Sequence, residues 1–103
     1  MGFRKKLFNQ VAHDSGFIVT IRAFKGYVEY KEGDRICKVP VQPVFGRGVV
    51  SVYLDTPVKW NVPHNFEEIS EEKRIQIIRN IVDAMRFRKY IVEEIQKTLG
   101  SHS

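Results

Sequence analysis

Between Phe17 and Ala23 apolar and polar residues alternate, with Phe17, Val19, Ile21 and Ala23 on one side and Thr20 and Arg22 on the other. A period of two predicts a strand with one buried face. Gly26 interrupts the pattern, and two strand-like runs in YVEYKEGDRICKV (27–39) then flank Glu32-Gly33-Asp34. Gly33 suits the positive φ of a tight turn, so this segment predicts a hairpin. Pro40 and Pro43 lack the amide proton that a central strand donates, so the second arm must end there or lie at a sheet edge. GVVSVYLD (48–55) is β-branched and aromatic and predicts a further strand.

Beyond Asn65 the period changes. Ile75, Ile78, Val82 and Met85 recur at spacings of three and four with Ile81 alongside, which predicts a helix from Ser70 to Arg86 with those residues facing the sheet. Ser70 is a favoured N-cap. Glu67, Glu68, Glu71 and Glu72 cluster at that end, and Arg79, Arg86 and Arg88 come late, as the helix dipole prefers. The phase then breaks between Arg86 and Lys89. YIVEEIQKTLG (90–100) reads either as a second amphipathic helix, through Ile91, Val92, Ile95 and Leu99 to Gly100, or as a last strand. Propensity favours the helix slightly. The sum is an α+β domain: a small antiparallel sheet of three to five strands packed on one amphipathic helix, with a C-terminal helix or strand.

Composition bounds the function. The 103 residues make one domain (1–103), and 43% hydrophobic with 28% charged residues is an ordinary globular balance. Cys37 is the one cysteine, so no internal disulfide forms. The first residues lack the apolar stretch of a signal peptide, and no run approaches the ~20 residues of a membrane span. A soluble cytoplasmic protein without membrane association is expected. The net charge of +5 is uneven: residues 1–60 hold ten Lys/Arg against five Asp/Glu, and residues 61–103 hold seven of each. Arg4, Lys5 and Lys6 supply much of the excess. Residues 1–12 therefore read as a basic, mobile N-terminal segment, with 100–103 a short tail. A basic tail is a weak nucleic-acid footprint.

Candidate chemistry is sparse. His13-Asp14-Ser15 has the three residue types of a catalytic triad, but adjacent residues cannot place the base between nucleophile and carboxylate, so a polar turn is the better reading. His13, His64 and His102 are far apart and Cys37 is alone, which gives no metal-ligand spacing. Gly46-Arg47-Gly48 is too short to cradle a phosphate, though Arg47 on a loop tip is a plausible contact residue. In DTPVKWNVPHNFEEIS (55–70), Trp60 is expected to cover one end of the core, with Pro63 keeping Val62 extended and His64 and Asn65 closing the turn. Tryptophan is also a common interface anchor. No enzyme activity and no cofactor are expected.

The order of these pieces resembles a family of small bacterial immunity proteins encoded beside polymorphic toxins. The resemblance rests on Tyr30-x-x-Gly33 in the hairpin, Trp60-x-x-Pro63-His64, and the Ile-rich helix with Asn80-Ile81, and it covers residues 17 to 95. In that family a glycine often follows the helix and leads into a final strand, where this chain has RFRKY (86–90). The resemblance implies a non-catalytic protein, monomeric when free, that binds a cognate toxin domain and occludes its active site. Tyr30, Arg35, Arg47, Trp60 and His64 are the candidate contact residues. The rival readings are a small basic nucleic-acid-binding module using Arg4, Lys5, Lys6 and 86–90, and a non-catalytic subunit of a larger complex.

Overall fold

A computed structural model describes residues 2–44 and 46–96. The expectations for Leu99, Gly100, His102 and the 100–103 tail lie outside these residues. The strands are β1 (Phe3–Lys5), β2 (Gln10–His13), β3 (Phe17–Arg22), β4 (Tyr27–Glu32), β5 (Arg35–Pro40), β6 (Gln42–Val44), β7 (Val49–Tyr53) and β8 (Ile91–Ile95); the helix α1 is Glu71–Phe87. Strands β1 to β5 form an antiparallel meander in sequence order, and β6-β7-β8 form a second sheet in which β7 and β8 run parallel. The class is α+β.

The register of the meander explains its face. Val11, Val19, Tyr30 and Cys37 lie opposite one another across β2 to β5, and Ile21, Val28 and Val39 form a second row. All are buried. Two residues along the same face, the row becomes Phe17, Glu32 and Arg35. The inward face thus turns polar at the rim, where the helix and the long loop meet it. Gly33, at φ 64°, makes the tight turn between β4 and β5, and β5 ends at Pro40 as the sheet edge.

Ser70 caps α1, its hydroxyl accepting from the Lys73 amide at 3.1 Å. The helix packs on β3 and β4 on one side and on β8 on another. Contact from two directions widens and rotates the buried stripe, which comprises Ile77, Ile78, Ile81, Val82, Ala84 and Met85. Ile75, expected inside, is 52% exposed, whereas Ile77 is fully buried.

The N-terminal segment, read from sequence as a basic tail, is part of the first sheet. Residues 3–5 and 10–13 pair as a hairpin that continues the meander, and Phe3 packs against Phe17 and Phe87 with ring centroids 5.9 and 5.6 Å apart. Within the C-terminal segment, Ile91–Ile95 form a strand, not the helix that propensity favoured. Lys89 takes a left-handed φ of 72°; its amide donates to Arg86 O and that of Tyr90 to Met85 O, at 2.9 and 3.0 Å. This is a Schellman ending. It turns the chain into β8, which finds an open side of β7.

Candidate partner-binding surface

Four of the five candidate residues gather where β4, β5, the 54–70 loop and the start of α1 converge. Arg35 forks onto Glu67, Nε to Oε1 at 2.7 Å and Nη2 to Oε2 at 3.0 Å. His64 Nδ1 lies 2.9 Å from Glu67 Oε2, and its Nε2 lies 3.5 Å from Asp34 Oδ2. Lys73 Nζ donates to Glu32 Oε2 at 2.7 Å, the Tyr30 hydroxyl donates to Glu32 Oε1 at 3.0 Å, and Asn80 Nδ2 donates to that hydroxyl at 3.2 Å. The loop is also held along its length. The Asn61 amide donates to Ile36 O at 2.7 Å, and Arg74 Nη1 donates to Leu54 O and Thr56 O at 2.7 and 3.0 Å.

The electrostatics follow from these bonds. The Arg35 guanidinium and then His64 hold the Glu67 carboxyl below the usual range. A carboxylate so held is a poor general base at neutral pH. Burial pushes the Tyr30 hydroxyl up and raises the Cys37 thiol to about 12, so both stay neutral and unreactive at physiological pH. Tyr30 is 1% exposed and Trp60 6%, so both side chains are engaged in the core. The arrangement fastens the loop between β7 and α1 onto the hairpin tip, as 55–70 suggested.

The partners of Arg35 and Lys73 were not foreseen. Glu67 stands three residues after His64, a short-range signal for that pair, but its contact with Arg35 spans 32 positions. His13 and Ser15 do touch, Nδ1 to Oγ at 2.9 Å, with the Ser15 amide also donating to Nδ1 at 3.0 Å. Asp14 does not complete a triad with them: its carboxylate accepts from the Gly2 amide and Arg4. The imidazole stacks on Phe17, centroids 4.8 Å apart. This is the polar turn expected. Among the described residues no group of three or more His, Cys, Asp or Glu is placed to hold a metal ion, and no helix is long and apolar enough to cross a membrane.

Arg47 stands apart from the other four. It is exposed at the tip between β6 and β7, flanked by Gly46 and Gly48 at φ 87° and 67°. That end of the molecule carries an apolar groove of about 190 Å³ lined by Phe24, Pro43, Val44, Val50 and Tyr90, among others.

The model of one protein family, Immunity protein 74, matches residues 18–95. The chain belongs to the Immunity protein 74 family. The matched span runs from β3 to the end of β8 and so includes the hairpin, the loop with Trp60 and His64, the helix and the final strand. The hairpin of β1 and β2 lies outside it. No curated protein and no solved structure matches the chain.

Proposed function

We propose that this chain binds the toxin domain encoded beside it and neutralises that domain by occluding its active site, acting as a cytoplasmic monomer without turnover of its own. The observation that carries the reading is the family match over residues 18–95. Blocking a lethal intracellular activity demands a very low free-toxin level, which calls for a Kd of about 1 nM or below, on the order of −12 kcal/mol. A standard interface takes about 800 Å² from each partner, about one eighth of this chain's 6725 Å². The protein's size is adequate for that. A chain of charge +5 favours an acidic partner surface over one that mimics nucleic acid.

The test is titration of the purified chain into an activity assay of the toxin domain. Inhibition should be complete at one equivalent and independent of substrate concentration in the time of the assay. A toxin that keeps full activity with excess chain present would overturn the proposal.

A further inference from the structure

We infer that the end of the molecule carrying Arg47 is the docking surface, and that it takes an acidic protein surface that inserts an apolar side chain into the groove beside Phe24 and Tyr90. The inference rests on the immunity reading above and names where its partner binds.

Four segments meet at this end. The β1–β2 turn lies against the end of β3 through two hydrogen bonds, Ile21 N to Asn9 O at 2.9 Å and Asn9 Nδ2 to Ile21 O at 3.2 Å. The helical turn after β3 (Ala23–Lys25) packs on β6 and contributes Phe24 to the groove, and Tyr90 joins it from the turn between α1 and β8. Arg88 Nη2 donates to Phe8 O at 3.2 Å and so ties that turn to the β1–β2 turn.

Phe24 is 86% and Phe8 85% exposed, with Leu7 and Ile91 also open, and large apolar groups open to water mark an interaction site. Val62 and Phe66 are as open at the opposite end, so charge is what sets this end apart. Here the charge is one-sided. Residues 5–9, 22–27, 42–49 and 86–91 hold eight Lys/Arg and no Asp or Glu. Arg86 is paired with Glu94, but no ion pair is found among the described residues for Arg22, Lys25, Arg47 or Lys89. The hairpin tip, loop and helix start at the far end of β4 lean the other way: residues 32–35 and 64–74 hold six of the twelve acids and three cations, Arg35, Lys73 and Arg74. An apolar centre within a cationic rim is the complement of an acidic surface with an apolar anchor.

The experiment measures association and dissociation of the full chain on an immobilised, catalytically inactive toxin domain. Phe24→Ser should raise the dissociation rate at least about tenfold, as loss of a central aromatic does. Lys25→Glu with Arg47→Glu should slow association at least about tenfold at low salt, with the difference shrinking at high salt. Phe66→Ser is the control, because Phe66 is equally open at the acidic end, and it should leave both rates unchanged. All these side chains are exposed, and circular dichroism confirms the fold of each variant. If Phe66→Ser weakens binding while the other variants bind normally, the surface is wrong and the immunity reading stands. If the unaltered chain does not bind the toxin domain, both fall. Salt-sensitive binding of a single-stranded oligonucleotide, lost with Phe24→Ser, would replace the protein occupant with nucleic acid and overturn the assignment.

Discussion

Lys89 is the one described residue other than glycine with a positive φ, and the last strand depends on it. A side chain in the left-handed region costs about 1–2 kcal/mol because Cβ crowds the following carbonyl. Glycine there avoids that cost, but its freer unfolded chain returns about 0.4–1 kcal/mol. Lys89→Gly should therefore be more stable than Lys89→Ala by about 0.5–1 kcal/mol. Both variants remove the ammonium group from the helix C-terminus, so its interaction with the helix dipole cancels in the comparison. For a domain of this size the difference is about 2–8 °C in Tm. Lys89→Pro should be far worse, since its ring fixes a negative φ and it lacks the amide that donates to Arg86 O at 2.9 Å. Differential scanning calorimetry on the three variants reads the order directly. Alanine equal to or better than glycine would refute the left-handed ending and with it the described entry into β8.

The helix face has an equally plain test. Ile77→Ala, at a fully buried site, should cost about 2–5 kcal/mol in urea unfolding, and Ile75→Ala less than about 0.5 kcal/mol; the reverse order would restore the stripe read from sequence. The Arg35–Glu67 fork predicts a pH dependence. Glu67 has a folded pKa below its unfolded value of about 4.3, so its contribution is present at neutral pH and is lost as pH falls through the folded pKa. Glu67→Gln should lower Tm at pH 7, and the difference from the unaltered chain should shrink as pH falls through the acid range. A constant difference across that range would mean the fork contributes nothing through charge.

Where the pattern in the sequence was strong and local, the structure follows it. The alternation from Phe17 to Ala23, the Gly33 turn, the prolines at the sheet edges and the Ser70 cap each depend on neighbours within a few residues. What was not legible depends on partners far along the chain. The basic residues at 4–6 gave no sign that Phe3 would pack under Phe87, so the first hairpin read as a tail. Over YIVEEIQKTLG (90–100) propensity favoured the helix only slightly, and that stretch contains the β-branched Ile91, Val92 and Ile95. Ile91–Ile95 become a strand because β7 offers an open parallel edge and Lys89 accepts an uncommon backbone conformation. Ile75 and Ile77 lie on opposite sides of the helix, and which of them is covered depends on the elements packed against it. The candidate surface was legible in the same partial way: Arg47 was visible as a loop tip, but the groove that Phe24 and Tyr90 form beside its flanking glycines is a product of topology.

The claim that matters most is that this chain protects a cell from the toxin beside it. Growth of bacteria expressing the upstream-encoded toxic domain, with and without this chain induced, tests it directly. The account predicts normal growth with the chain present, death without it, and loss of protection when Phe24→Ser is combined with Lys25→Glu and Arg47→Glu. Equal death in the presence and absence of the folded, unaltered chain would contradict it.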